Sequence, residues 1–268
     1  LDVSHPVMES IYHQYFEEPR YRPSVITAQR LAGGVVGKKV GEGFYAYDKG
    51  VAQVPAEPAV PVVAEMPPVW VSPKAARRAE LYQLLKDLGA QIETAAAPSS
   101  AALILVAPLG LDVTTLAAVE RLDATRTVGI DMMLDDASVK RRVLATNPAT
   151  RPDMAQAAHA LFARDGKAVS VIRDSGGFVT QRVVATIVNI AADMCQQGVC
   201  SPADLDVAVT LGLGYPMGPL AMGDRIGPTN MLEILFNLQT VYGDPRYRPS
   251  PWLRRRGALG LSLTHEEA

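Results

Sequence analysis

The same six-residue sequence occurs twice in this chain, at widely separated positions. Pro-Arg-Tyr-Arg-Pro-Ser occupies residues 19–24 and again residues 245–250, each time directly after an acidic residue. Six consecutive identities at this separation are not expected by chance, and two distant copies indicate a duplicated module rather than a solenoid. Apolar-periodic segments predict a helix before each copy, over residues 7–16 and 231–242. The chain is therefore predicted to begin inside one module and to end inside a second copy of it.

A proline-rich segment separates the first copy from the rest. Residues 51–68 contain five prolines among Ala and Val, with almost no charge. Such a composition favours extended, polyproline-like conformations and is typical of a semi-rigid linker. We therefore predict four segments: a truncated first helical module over 1–50, the linker over 51–68, and two further domains over 69–174 and 175–268.

Residues 69–174 alternate strand-like and helix-like patterns. Strands are predicted over residues 69–71, 91–93, 103–106, 128–130 and 168–172, and helices over residues 72–88, 111–122 and 152–164. The first of these helices is expected to start at Ser72 and Pro73, as a cap and a first-turn proline. Strands and helices alternating at this spacing predict a parallel sheet covered by helices.

Residues 175–268 are predicted to be helical. The segment from Phe178 to Gln197 has apolar residues around most of its circumference, which predicts a helix buried on several sides, either centrally in a bundle or at a subunit interface. Ser201 and Pro202 are predicted to open the next helix as its cap and first residue.

Composition excludes several classes of protein. The chain has 26 basic and 28 acidic residues, a net charge of −2, so no basic excess points to nucleic acid. The longest apolar stretch, residues 101–111, is interrupted by Pro108 and Gly110 and is too short to span a bilayer. Cys195 and Cys200 have neither the spacing of a metal site nor that of a redox pair, so we expect no metal site. Two cysteines are too few for a disulfide framework, so we expect the protein to reside in the reducing cytoplasm.

Several motifs together resemble one enzyme family. Residues 174–182 (Asp-Ser-Gly-Gly-Phe-Val-Thr-Gln-Arg), residues 215–220 (Tyr-Pro-Met-Gly-Pro-Leu) and the second copy of the duplicated motif resemble the C-terminal helical domain of 3-hydroxyacyl-CoA dehydrogenases. In the first copy, residues 37–45 resemble the closing segment of that domain. The resemblance implies a parent 3-hydroxyacyl-CoA or 3-hydroxybutyryl-CoA dehydrogenase with tandem helical domains, which oxidises the 3-hydroxyl of an acyl-CoA and passes hydride to NAD.

The resemblance also implies where NAD would bind, and the residues there differ from what NAD requires. A dinucleotide needs a glycine-rich turn whose free N–H groups hold the pyrophosphate. The corresponding turn here starts at Ser72 and Pro73 and has no glycine, and Pro73 removes a donor. Glu93 resembles the acid that binds the ribose, although a solvated carboxylate at a strand end is the commoner case. We therefore expect this chain to bind no cofactor, with the NAD of the parent enzyme bound outside it.

The catalytic positions implied by the resemblance have changed as well. The family's general base, a histidine, aligns with Asp131, and its partner glutamate falls near Val143, so no catalytic residue is expected in this chain. An exposed carboxylate is a poorer base than imidazole at neutral pH. Gln181 replaces an asparagine that contacts substrate in the family. Met217 is a weaker candidate contact, for which core packing is the alternative.

The sequence thus predicts a degenerate Rossmann-like parallel-sheet domain followed by an all-α helical domain, both preceded by a truncated copy of the helical domain. We predict the C-terminal portion of an NAD-dependent dehydrogenase of (S)-3-hydroxyacyl-CoA, in fatty-acid or aromatic-acid degradation. Its partners would be the acyl-CoA substrate and either its own upstream catalytic half or further copies of itself, not nucleic acid or a membrane. The alternative is a non-catalytic acyl-CoA-binding or assembly module.

Overall fold

The computed structural model describes residues 1–267, and the chain divides into two compact units, Leu1–Ala59 and Val60–Ala268. Each unit is described by itself below. Among the described residues, no helix combines the length and the apolar character that crossing a bilayer requires.

The first unit consists of two helices followed by a small hairpin. Its elements are α1 (Ser4–Gln14), a 3-10 turn (Pro19–Tyr21), α2 (Val25–Ala32), a second 3-10 turn (Lys38–Val40), and the antiparallel strands β1 (Ala46–Asp48) and β2 (Val51–Gln53). Buried His5 joins the two helices, because its Nδ1 lies 2.9 Å from the hydroxyl of Thr27. Strand β2 uses the first residues of the predicted linker, and residues 54–68 contain no helix or strand.

The second unit begins with a six-stranded sheet. Its strands are β3 (Val69–Val71), β4 (Ile92–Glu93), β5 (Leu103–Val106), β6 (Thr127–Ile130), β7 (Arg141–Thr146) and β8 (Ala168–Arg173), in the order β4-β3-β5-β6-β7-β8. The first four in this order are parallel, whereas β7 runs antiparallel to β6 and parallel to β8. The predicted Rossmann-like sheet is confirmed, but β7 was missed because it opens on two arginines.

Helices cover this sheet, although the first starts later than predicted. They are α3 (Arg78–Asp87), α4 (Val113–Glu120) and α5 (Pro152–Phe162). The prediction that α3 begins at Ser72 and Pro73 is wrong, since residues 72–77 form turns and Arg77 adopts a left-handed conformation with φ 48°. The core between sheet and helices is aliphatic, with Leu85 and Leu105 fully buried.

The rest of the second unit is helical. It contains α6 (Thr180–Gln196), α7 (Pro202–Leu213), α8 (Pro219–Ile226), α9 (Pro228–Tyr242) and α10 (Pro251–Leu259). Helix α6 is largely buried, as its sequence pattern predicts. Val188 is fully buried in the helical core, and Val183 is the one residue of α6 that is exposed, at 51%.

Both copies of the duplicated motif have the same local structure. In each, a helix leads to a 3-10 turn and then to a second helix: α1 and α2 in the first unit, α9 and α10 in the second. The acid before each motif caps the turn, because Glu18 accepts a hydrogen bond from the Arg20 N–H and Asp244 accepts one from the Arg246 N–H. The repeated sequence therefore has the same helix–turn–helix arrangement in both units.

Candidate functional site

A cleft of about 540 Å³ lies at the carboxyl ends of β3, β5 and β6. Loops after these strands form one wall, and α8 and α9 form the other. In a parallel sheet this edge is where ligands bind. The polar side chains in the cleft lining are Lys74, Arg77, Asn230, Glu233 and Asn237. No metal cluster accompanies them, since the described residues contain no group of three or more His, Cys, Asp or Glu side chains that could hold a metal ion.

The turn after β3 is the place where a dinucleotide's pyrophosphate would bind, and its N–H groups are already used. The bonds run from Ser72 N to Leu105 O at 2.9 Å, Lys74 N to Ser72 Oγ at 3.0 Å, Ala75 N to Ser72 O at 3.1 Å, and Ala76 N to Ala107 O at 2.9 Å. Pro73 has no N–H to offer. The residues present therefore do not fit the pyrophosphate of NAD.

Two carboxylates near this turn are also engaged within the chain. The buried hydroxyl of Ser72 donates to Oε2 of Glu120 at 2.5 Å. Glu93, the candidate ribose ligand, accepts hydrogen bonds from both the hydroxyl and the N–H of Ser99, and these bonds hold the pKa of Glu93 below its usual value. A ribose would have to displace Ser99 from this carboxylate.

The structure brings three of the predicted site residues together. The backbone N–H of Asp131, just after β6, donates to the carbonyl of Val143 in β7 at 3.0 Å. The Oδ1 atom of Asp131 accepts a 2.8 Å hydrogen bond from Nε2 of Gln181. The positions that the resemblance assigns to the base, its partner and a substrate contact are therefore adjacent in space.

Gln181 uses its whole amide group in these contacts. Besides Asp131, its Nε2 donates to the carbonyl of Pro108 at 3.1 Å, and its Oε1 accepts from the N–H of Gly110 at 2.8 Å. The side chain is fully buried. An amide has two donor hydrogens and one acceptor oxygen, so each has a partner inside the protein. In this conformation Gln181 has no donor left for a substrate.

Asp131 is partly buried, which corrects the expectation of an exposed carboxylate. Burial raises the pKa of Asp131 above its ordinary value, while hydrogen bonds from Gln181 and from the Met133 N–H act in the opposite direction. An adjoining cavity of only about 20 Å³ leaves space for a water molecule and not for an acyl group.

Other site candidates lie elsewhere or were missed. Met217 is half-buried in the loop between α7 and α8 and is not in the cleft lining. Glu233 and Asn237 on α9 are in that lining and were missed. Desolvation raises the pKa of Glu233, and Nδ2 of Asn237 donates to the carbonyl of Leu109 at 2.7 Å. The sequence feature that could have identified Glu233 and Asn237 is their helical spacing as polar residues within a largely apolar helix.

The cysteines take no part in this site. Cys195 is buried and Cys200 is partly buried, and both are free thiols. Burial raises the pKa of the Cys195 thiol to about 11, so it is protonated and unreactive at neutral pH.

Two protein-family models match consecutive parts of the chain. Residues 177–264 match the 3-hydroxyacyl-CoA dehydrogenase C-terminal domain, and residues 110–175 match the 3-hydroxybutyryl-CoA dehydrogenase reduced Rossmann-fold domain. The boundary between the matches lies close to the change from sheet to helices at Arg173–Thr180.

Individual relatives carry similar names. The chain is 34% identical over 260 residues to a 3-hydroxyadipyl-CoA dehydrogenase of Escherichia coli, a match that covers 96% of this chain and 48% of the relative. It is 34% identical over 145 residues to a probable 3-hydroxybutyryl-CoA dehydrogenase of Bacillus subtilis, covering 54% of this chain and 50% of the relative. The crystal structure of an Escherichia coli 3-hydroxybutyryl-CoA dehydrogenase aligns with TM-score 0.70 and 29% identity, over 97% of this chain and 49% of that one. The chain thus spans about half the length of these relatives.

Proposed function

Both domain matches and a relative aligned over almost the whole chain support membership of the 3-hydroxyacyl-CoA dehydrogenase family, and from this premise we propose that the chain is the C-terminal portion of such an enzyme. The family uses NAD. In this proposal the unit of residues 60–268 does not transfer hydride itself. It serves as a built-in partner for an upstream catalytic half that binds NAD and carries the base.

The observation that carries the proposal is the turn after β3. Every N–H group between residues 72 and 76 already has an acceptor in the chain. A pyrophosphate would have to break these bonds, and at Pro73 it would meet no donor. The unit therefore keeps the fold of a dinucleotide-binding domain without its phosphate-binding turn.

The second support is the bond between Asp131 and Gln181. A general base must be free to approach the substrate proton within hydrogen-bond distance. Here the carboxylate is held by a buried amide, and Val143 offers no carboxylate to orient a base. The residues at the catalytic positions thus connect parts of the protein to one another.

A partner role also needs a surface on which the partner can dock. Helices α6 and α7 expose a series of apolar side chains on the second unit: Val183 at 51%, Val207 at 56%, Leu211 at 81% and Leu213 at 70% exposure. We assign this surface to another copy of the helical module, because the chain itself carries a duplication of that module. A fused copy acts at high effective concentration and takes the place of a second subunit.

The test compares the complete natural polypeptide with a version that ends at Ala59 and so lacks residues 60–268. Dehydrogenase activity, read as NADH formation with a 3-hydroxyacyl-CoA, should fall at least about tenfold on truncation, and adding residues 60–268 in trans should restore part of it only at high concentration. Full activity of the truncated enzyme would reject the partner role. Calorimetric titration of residues 60–268 with NADH should show no binding, and micromolar binding would reject the non-catalytic assignment.

One observation favours the alternative of an acyl-CoA-binding module. Lys74 lines the cleft and forms no ion pair within residues 1–267. A cation in a cleft that is also lined by apolar side chains such as Leu109 and Met132 suits a ligand with phosphates and a hydrocarbon chain. Thermal stabilisation of residues 60–268 by an acyl-CoA but not by NADH, lost in Lys74→Gln, would favour this alternative.

A further inference from the structure

A groove of about 520 Å³ lies at the start of helix α10, in the helical part of the second unit. Its lining combines three arginines with three apolar residues: Arg248, Arg254, Arg255, Pro249, Pro251 and Ala258. Within the described part of the chain, no carboxylate lines this groove, and it shares no residue with the cleft at the carboxyl ends of the strands. The groove is therefore a separate, positively charged concavity of a size that suits a small molecule.

The arginines line the groove from a helix start that is held in place. The side chains of Arg254 and Arg255 lean toward the start of α10, because side chains on an α-helix point toward its N-terminus. Arg248 lies just before the helix, in a turn that the buried side chain of Asn189 fixes from inside. That amide donates to the Arg248 carbonyl at 2.9 Å and accepts from the Ser250 N–H at 2.8 Å.

Neutral groups position Arg254 and Arg255, so most of their charge is not compensated. The guanidinium of Arg254 lies over the ring of Phe236 on α9, 5.6 Å from its centroid, and forms no ion pair within residues 1–267. Nη1 of Arg255 donates to Oε1 of Gln196, at the end of α6, at 3.3 Å. It also lies 3.7 Å from Glu267, but that side chain is 61% exposed, and exposed pairs contribute little. Both guanidinium groups are thus placed for an anion that the chain itself does not supply.

The first copy of the module lacks these charges. The duplicated motif starts at residues 19 and 245, so equivalent residues are 226 positions apart. In this register Arg254 and Arg255 correspond to Ala28 and Gln29 on α2. Helix α2 forms without either charge, so the fold of the module does not require them.

Arg256, the next residue of α10, has a different role. It corresponds to Arg30, and each of the two donates to a backbone carbonyl of its own unit, Arg256 to that of His265 and Arg30 to that of Gly43. The arginine with a structural contact is therefore present in both copies, whereas the two that line the groove occur only in the second. This difference indicates that the added charges serve binding rather than folding.

We propose that the groove at the start of α10 binds a small molecule that carries a diphosphate beside an uncharged part, as a nucleoside diphosphate does. A guanidinium binds phosphate oxygens through paired N–H donors, and a diphosphate has enough oxygens for Arg254 and Arg255 together. The walls formed by Pro249, Pro251 and Ala258 suit the uncharged part of the ligand. This site does not depend on the partner role proposed above.

The test titrates the chain of residues 1–268 with ADP, diphosphate and inorganic phosphate by calorimetry at low ionic strength. ADP should bind at least about tenfold more tightly than inorganic phosphate, which engages fewer donors and none of the apolar wall. Arg254→Gln/Arg255→Gln should weaken the binding of ADP and of diphosphate by about tenfold or more. Its melting temperature should equal that of wild type, because both side chains are exposed. If it melts lower, Arg255→Gln alone, which introduces the residue of the first copy, should still weaken binding.

A control variant separates this site from a general effect of charge. Arg78→Gln/Arg173→Gln removes the same charge from exposed positions outside the groove and should bind ADP like wild type. Equal weakening in the two double variants would show an effect of net charge and would overturn the site. ADP binding that the groove variant retains would overturn it too, as would a wild type that binds no ADP at millimolar concentration. Binding of an oligoglutamate peptide but not of ADP would make an acidic protein segment the occupant, and the diphosphate assignment would be wrong.

Discussion

The Nε2 atom of Gln181 donates a hydrogen bond of 2.8 Å to Oδ1 of Asp131, linking the first turn of α6 to the loop after β6. The same amide also holds the loop after β5 through Pro108 and Gly110. One buried side chain therefore connects the helical part of the second unit to two strand ends of the sheet. Much of what we expect of this unit follows from this contact.

The first prediction concerns the charge on Asp131. Asp131→Asn keeps an Oδ1 acceptor for Gln181 and removes a carboxylate whose pKa is raised by burial. A raised pKa means that the folded chain binds the proton more tightly than the unfolded chain, so wild-type stability falls as pH rises above the unfolded value of about 3.9. The variant lacks this loss. At pH 7 the melting temperature of the variant should exceed that of wild type. This difference in melting temperature should disappear below about pH 4.

Thermal unfolding of both proteins across this pH range measures the effect. A variant that is less stable than wild type at pH 7, with no change in the difference toward acid, would contradict it.

The second prediction concerns the amide itself. Gln181→Leu removes both donors and the acceptor while filling similar space, and it leaves the N–H of Gly110 and the carboxylate of Asp131 without this partner. We expect a loss of about 1–3 kcal/mol in the free energy of unfolding, measured by urea denaturation. In Gln181→Leu/Asp131→Leu the two effects should not add, because the two side chains share one hydrogen bond. Additive losses would show that the contact is not formed.

The third prediction concerns NAD. Replacing Pro73 and Lys74 with glycine should not create NADH binding or hydride transfer, because the remaining N–H groups of the turn stay bonded and Asp131 and Val143 supply no oriented base. Isothermal titration and an absorbance assay for NADH formation check both parts. If the glycine variant bound NADH with micromolar affinity, the sequence of this turn alone would account for the absence of NADH binding.

The fourth prediction compares three valines of α6. Val188→Asp places an unpaired charge in the helical core and should cost several kcal/mol, roughly 3–5, in unfolding free energy. Val184, which is half-buried against the same core, should show a smaller loss when changed to Asp. Val183 is exposed, so the Val183→Asp variant should have the same free energy of unfolding as wild type. It should, however, associate more weakly with another helical module. Sedimentation at several concentrations, together with denaturation, distinguishes these outcomes, and equal effects at all three positions would contradict the orientation of α6.

The sequence predicted the start of a helix correctly only where the capping side chain bonds to a residue close by in the sequence. Ser201 and Pro202 open α7 as predicted, because the Ser201 hydroxyl accepts from the N–H of Asp204, three residues on. Ser72 and Pro73 look alike in sequence, yet the Ser72 hydroxyl donates to Glu120, which lies far along the chain. A local sequence pattern cannot predict a hydrogen bond to a residue 48 positions away. The contacts of the candidate site are also between residues that are distant in the sequence, so they were not predicted either.

Strand β5 was predicted correctly because a continuous apolar run is the pattern of a strand buried on both faces. Strand β7 was missed because its buried Arg142 is neutralised by Asp136 and Asp165, partners that a hydropathy pattern does not include. The contact between Asp131 and Gln181 depends on how the sheet and the helices pack, so the sequence indicated both residues but not the bond between them.

Gly110 has a consequence for how the second unit folds. A side chain at this position would collide with Ile234 and Asn237, so the loop after β5 and helix α9 are in direct backbone contact. This contact joins two segments that are more than a hundred residues apart. We therefore expect the sheet and the helices of residues 60–268 to unfold in a single cooperative transition, although two separate family domains occupy this part of the chain.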